Sequence, residues 1–247
     1  PPFSSRRRHT RSSVESRGLG DVYKRQVVLT GTFIAVVLGK QIFGGIGANP
    51  FNPAVMSMAI LSVAWRALLD FDIALAHYDF GYNMLYPLGA LKAFGVAGIE
   101  SYNYGDLLLG RQAGGLGSTF GLGLIIGGLY LIARGFIRWE IAGSFLAGVG
   151  VTALLFNMSD PGQYADPIFH LLTGYTLIGA FFLATEDASS PVNPIPMFIY
   201  GAGCGVLTVL IRNIGNYADG VLLAILLMNA INPLLDRIRP QAIGKVG

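Results

Sequence analysis

Apolar residues run along this chain in seven long stretches, at about 28–43, 52–69, 118–133, 140–157, 167–184, 196–212 and 219–235. Several approach the lower limit of about 17 residues for a helix that spans a bilayer. Glycine is frequent inside them, as transmembrane helices tolerate. The pattern predicts an all-α polytopic membrane protein. One interruption stands out, Gly44-Gly45-Ile46-Gly47-Ala48-Asn49-Pro50-Phe51-Asn52-Pro53-Ala54-Val55, between the first two stretches. Irregular backbone at membrane depth survives only where it is buried in protein or lines a cavity. Such a break points to a ligand or ion site; a tight turn between two helices at the membrane surface reads the same way.

The charged positions orient the stretches. Arg134 and Arg138 lie between the third and fourth, and Arg237, Arg239 and Lys245 follow the seventh. An even number of crossings separates the two places, so they share a side, which the excess of positive charge makes cytoplasmic. The opposite side receives the loops 70–117 and 158–166, with Asp70, Asp72, Asp79, Glu100, Asp106, Asp160 and Asp166. The expectation is a multi-pass protein of a prokaryotic cytoplasmic (inner) membrane, its C-terminus cytoplasmic and loop 70–117 extracytoplasmic.

Composition agrees: 53% of the 247 residues are hydrophobic and 13% charged, with a mean hydropathy of +0.56. The formal net charge of +3 comes from residues 1–26, which hold seven basic residues against Glu15 and Asp21; the remainder has ten basic and twelve acidic residues, a net of −2. No nucleic-acid partner follows from it. The Arg/Ser-rich leader 1–26 lacks the apolar core of a signal peptide. It is expected to be non-native, adaptor-like or disordered, a transit peptide being the other reading, and the native chain then starts abruptly near Val27. Cys204, the single cysteine, forms no disulfide or cysteine-held cluster within the chain.

A weak repeat is visible. Phe43-Gly44-Gly45-Ile46-Gly47-Ala48-Asn49 precedes a stretch ending Ala67-Leu68-Leu69-Asp70, and Arg212-Asn213-Ile214-Gly215-Asn216-Tyr217 precedes one ending Pro233-Leu234-Leu235-Asp236. A shift of five helices is odd, so the copies have opposite membrane orientation, as in many transporters. The expected fold is then a pair of inverted five-helix repeats with about seven of about ten helices present. Residues 27–247 form the membrane domain: 27–70 the end of the first repeat, 71–117 an extracytoplasmic loop, 118–247 the second repeat. Chance likeness of two glycine-rich turns is the alternative.

Candidate chemistry falls into three groups. Asn49 and Asn52 carry amide donors and acceptors that suit a planar heterocycle; equally, they cap the helix starting near Pro53. Glu186, Asp187, Asp219 and Asp236 sit at ends of apolar stretches, where acids mark ion or proton paths or are ordinary interfacial residues. His170 reads as a hydrogen-bonded interfacial residue, with no second histidine for a metal. Ala113-Gly114-Gly115-Leu116-Gly117-Ser118-Thr119 opens the third stretch; glycines there allow close approach and a helix start favours phosphate, although most such turns are helix starts and nothing more.

Taken together, these residues resemble the family shared by the D subunit of the Rnf electron-transport complex and the B subunit of the sodium-translocating NADH:quinone reductase. The resemblance rests on the Gly44–Val55 segment, on Phe169-His170-Leu171-Leu172-Thr173-Gly174-Tyr175-Thr176-Leu177-Ile178-Gly179-Ala180-Phe181-Phe182, on Tyr217-Ala218-Asp219-Gly220-Val221, on Asp106-Leu107-Leu108-Leu109-Gly110 and on Leu129-Tyr130-Leu131. It covers essentially 27–247 and favours the Rnf D side. It implies a ten-helix inverted repeat and a membrane subunit of a flavin-containing oxidoreductase. Electrons would pass between ferredoxin and NAD, coupled to Na+ or H+ movement and dependent on other subunits. It also implies a riboflavin contacted by Asn49 and Asn52. An FMN phosphate would lie near Gly117, Ser118 and Thr119, and membrane acids would stand at Glu186, Asp219 and Asp236.

One departure matters. The family joins FMN to a threonine just before Pro-Leu, and here that stretch reads Leu85-Tyr86-Pro87-Leu88, with no Ser or Thr from His77 to Glu100. The expectation is no covalent FMN on this loop: FMN binds non-covalently, with Tyr86 stacking on the ring, or is absent. Thr173-Gly174-Tyr175-Thr176 superficially matches the attachment motif but falls inside a predicted helix. Two competing readings are a non-redox channel or solute transporter on the same architecture, with the asparagines lining its path, and a scaffold that has lost its cofactors.

Overall fold

The computed structural model describes residues 25–65, 85–115 and 117–238. The leader read over 1–26 lies outside these residues apart from its last two, as do Asp70, Asp72, Asp79, Arg239 and Lys245. The described residues are helical, with no strand among them. In chain order they form α1 (25–41), α2 (Pro53–Ala64), α3 (Pro87–Phe94), α4 (Tyr104–Leu109), α5 (Gly121–Ala133), α6 (Trp139–Ser159), α7 (Pro167–Leu172), α8 (176–183), α9 (Pro194–Asn213) and α10 (Val221–Leu235). Among them α6 and α9 are long and apolar enough to cross a membrane, and α2, α5 and α10 are shorter apolar helices.

The core lies between α6, α9 and α10. Phe145, Val149, Tyr200, Cys204, Val221 and Ile225 are all fully buried there. Small residues set the spacing of α6 and α9: a Cβ at Gly148 would sit 2.7 Å from the Ala202 carbonyl, and one at Gly205 would overlap the Phe145 carbonyl. Their outward faces stay apolar, with Val151 and Leu155 on α6 and Ile199 and Val206 on α9 exposed. Apolar faces on both sides of a helix suit a lipid surround rather than water.

Two connections share one design. α1 ends in a π-helical run, Ile34–Gln41, closed by Ile42 N–H to Val37 O at 3.0 Å. α8 ends in another, Gly179–Leu183, closed by Ala184 N–H to Gly179 O at 2.8 Å. Each is followed by an irregular stretch spelling Pro-x-Asn-Pro (Pro50-Phe51-Asn52-Pro53 and Pro191-Val192-Asn193-Pro194). In both, Asn is the N-cap and Pro the first residue of the next helix, where proline's missing N–H costs nothing. The turn before α2 needs its glycines: Gly44, Gly45 and Gly47 have φ of 109°, 96° and 81°, where side chains are disfavoured.

The fifth apolar stretch corrects the sequence reading. Instead of one helix it is two, α7 and α8, parted at Thr173-Gly174-Tyr175. Gly174 has φ of 67°, and a Cβ there would lie 2.6 Å from Leu88 and 2.8 Å from the Arg212 guanidinium.

Candidate functional site

The connections group at two ends of the bundle. At the first, the stretches 42–52 and 184–193 meet. Asn52 is 5% exposed, and its amide oxygen caps α2 by accepting from Ala54 N–H at 3.0 Å and Val55 N–H at 3.2 Å. Its amide nitrogen donates across to Leu183 O at 3.0 Å. Asn49, 3% exposed, donates to Phe51 O at 3.0 Å and to the Glu186 carboxylate at 3.1 Å. Glu186 also accepts from the Ser189 N–H at 3.1 Å and from the Ser189 hydroxyl. The half-buried Glu186 carboxyl is thus held by neutral donors; the ion pairs among the described residues are Arg111–Asp106 and Arg212–Asp219. Asp236 lies at the same end, accepting from Val192 N–H at 3.4 Å.

A cavity of about 540 Å³ lies between α1, α2 and α8 next to this junction, with neither Asn49 nor Asn52 among its lining residues. Its walls include Ala54, Val55 and Leu183, which Asn52 holds, and Met58, Tyr175 and Leu222. They are almost wholly apolar.

At the other end stands Asp219. The interruption of α7 and α8 frees main-chain groups that must find partners away from water. Arg212 supplies most of them: it donates to His170 O at 2.8 Å, to Thr173 O at 3.2 Å and to the Thr176 hydroxyl at 2.8 Å. Nη2, which also serves the two threonines, and Nε meet Asp219 at 3.0 and 3.3 Å. Asp219 accepts in turn from Tyr175 N–H at 2.7 Å and Val221 N–H at 3.2 Å, and Gln112 donates to Leu172 O at 3.1 Å. The Arg212 and Asp219 side chains are 1% and 12% exposed. Lys92 pins α3 to the end of α9, donating to the carbonyls of Arg212 at 3.0 Å, Tyr217 at 3.1 Å and Gly215.

Tyr86 belongs to this second end. It is the N-cap residue of α3, buried among Leu88, Leu107, Ala165 and Phe169, with its hydroxyl 3.5 Å from Asp219. Burial, with the Asp219 carboxylate behind it, pushes the phenol well above its ordinary value and keeps it a neutral O–H. The glycine turn reaches the same place: a Cβ at Gly114 would lie 4.0 Å from the Tyr86 ring, and one at Gly115 would overlap the Tyr175 hydroxyl. Ser118 is buried and donates its hydroxyl to Gly115 O at 2.9 Å, so its donor is spent within the turn. Gly117 is exposed and Thr119 half-buried.

The structure thus joins Asn49, Asn52 and Glu186, sets Asp236 beside them, and places Tyr86, Gly117–Thr119 and Asp219 at the other end. Sequence reasoning passed over Arg212 and Lys92 as chemistry.

The sequence profile of the NQR2, RnfD, RnfE family matches residues 22–244, nearly the whole chain. The chain belongs to that family. Among its relatives is the D subunit of the proton-translocating ferredoxin:NAD(+) oxidoreductase complex of Clostridium ljungdahlii, 37% identical over 218 residues, covering 85% of this chain and 66% of the relative. The D subunit of the Na(+)-translocating ferredoxin:NAD(+) oxidoreductase complex of Acetobacterium woodii is 38% identical over 217 residues, 87% of this chain and 65% of the relative. The D subunit of the ion-translocating oxidoreductase complex of Stutzerimonas stutzeri is 35% identical over 249 residues, 89% of this chain and 70% of the relative. The chain spans about two thirds of the length of these curated relatives. Membership in the NQR2, RnfD, RnfE family makes it a membrane protein, and the exposed apolar faces of α6 and α9 are what such a location requires.

Proposed function

We propose that this chain is a membrane subunit of an ion-translocating oxidoreductase complex of the Rnf type, coupling electron flow between ferredoxin and NAD to Na+ or H+ movement alongside other subunits. The observation that carries the reading is Glu186: an acid without a cationic partner among the described residues, fixed by Asn49 where two interrupted helices meet. Carboxylates placed so in membrane proteins face moving cations. In this reading Glu186 and Asp236 face the ion from the cytoplasmic side, and Asp219 stands at the extracytoplasmic end. The inverted five-helix repeat is the architecture we assign.

Riboflavin is the cofactor we propose for the junction. The cavity beside Asn52 has the size and apolar walls that ring systems take. One Asn52 N–H and the Asn49 amide oxygen have no partner among the described residues. Bound there, the flavin would supply one-electron chemistry; Asn49 and Asn52 would orient it, and Met58, Leu183 and Leu222 would keep water off it. FMN is assigned no site, and no covalent flavin is expected on Tyr86.

Flavin content of the purified complex tests the reading. Asn52→Asp keeps the helix cap and removes the amide donor; Asn49→Leu removes the other amide. Each is expected to lower bound flavin by about tenfold, a loss worth one good hydrogen bond, with the protein still folded. Unchanged flavin in both variants rejects the assignment. On denaturing gels the band of this chain should carry no covalent flavin.

A further inference from the structure

We propose that the interruption Thr173-Gly174-Tyr175 is built as a binding site for a monovalent cation, and that the chain's own Arg212 guanidinium fills it. Four oxygens surround the guanidinium: the carbonyls of His170 (2.8 Å) and Thr173 (3.2 Å), the Thr176 hydroxyl (2.8 Å) and the Asp219 carboxylate (3.0 Å). Two freed carbonyls, a hydroxyl and one carboxylate are the donors by which broken membrane helices hold Na+ or K+. Each is prepared for that task by its neighbours. The Thr176 hydroxyl shares its one proton between His170 O at 2.8 Å and Thr173 O at 3.0 Å, leaving its lone pairs to the cation. Asp219 turns one oxygen to Tyr175 N–H at 2.7 Å and the other to the guanidinium. Gly174 leaves no room for a Cβ that would push the carboxylate aside.

The guanidinium arrives from a different helix, α9, on a flexible stem. It neutralises Asp219 and occupies the donors, so a free cation finds no ligands at this end while it is seated. Glu186, whose donors are neutral, is the opposite case: one end is open to a mobile cation and the other is stoppered by a tethered one. This refines the role of Asp219 in the proposed ion path, and it concerns cation binding, not flavin or electron transfer.

The test is thermal unfolding of the complete protein in lipid nanodiscs, in NaCl or KCl against choline chloride at constant ionic strength. Removing the stopper with Arg212→Ala is expected to create cation dependence: Tm rises by about 3–6 °C per tenfold rise in Na+ or K+. Guanidinium far below denaturing concentrations has the same effect. The unaltered protein responds equally to all three salts, and Arg212→Ala/Asp219→Asn loses the response with the carboxylate. Should Arg212→Ala not fold, Arg212→Gln is expected to behave in the same way. A response to choline equal to that to Na+ and K+, or an undiminished one in the double variant, overturns the proposal. Failure here leaves the flavin assignment at Asn49 and Asn52 standing, because its readout is separate.

Discussion

Tyr86 stands at the position where the family it resembles carries threonine, and its ring packs between α3, α4 and α7. Because the folded protein keeps this phenol protonated beyond the unfolded value of about 10, the stability it adds is present below that pH and is lost as pH rises further. Tyr86→Phe should flatten that alkaline loss and cost about 0.5–1.5 kcal/mol at neutral pH, read by unfolding across a pH series. Gly174 is less forgiving. Its left-handed conformation and contacts with Leu88 and Arg212 make Gly174→Ala destabilising by about 2–4 kcal/mol, measured as lower thermal stability. At this scale Asn49, Asn52 and Glu186 were legible only as candidates, each with an ordinary reading as a cap or interfacial residue; their meeting across 131 to 137 positions comes from the fold. Arg212 was not a candidate. One arginine in the last turn of a helix reads as an ordinary dipole partner, and its contacts come from residues 36 to 42 positions away as well as from nearby Asp219.

Most helices follow the apolar pattern within a few residues, since length and hydropathy decide where a membrane helix forms. The exception is the fifth stretch. Thr173-Gly174-Tyr175 carries no proline, and glycine inside an apolar run is common in continuous helices too, so nothing local marks the break. What holds it open is a guanidinium on α9, a long-range fact. The short α3 and α4 within loop 71–117 were likewise hidden, being anchored by Lys92 and Gln112 and not by periodicity. The α6–α9 contact makes a clear element-scale prediction. Gly205→Val would drive a side chain into the Phe145 carbonyl. It is expected to cost about 1–3 kcal/mol or more, seen as a lowered unfolding temperature in detergent, whereas Leu155→Val on the exposed face should change little.

For the molecule as a whole, the long-range polar ties join groups of the same end: Asn49 to Glu186, Val192 to Asp236, Lys92 to Gly215, Gln112 to Leu172. Two such ends give the sidedness proposed from loop charge a direct check. Cys204 is buried, so background labelling is low. On the proposed orientation, Ile46→Cys should react with an impermeant thiol reagent only from the cytoplasmic face and Asn216→Cys only from outside. Labelling of both from one face would refute it.

The π-helical turns ending α1 and α8 each carry one more residue per turn than an ordinary helix would spend. Were the run Gly179–Leu183 to tighten into ordinary helix with all its residues kept, everything after it would swing by about 100° about the axis. Glu186 would then point away from Asn49, and the two irregular stretches would no longer share a carboxylate. The surplus residue in α8 thus acts as a register pin, fixing the direction in which the acid is aimed.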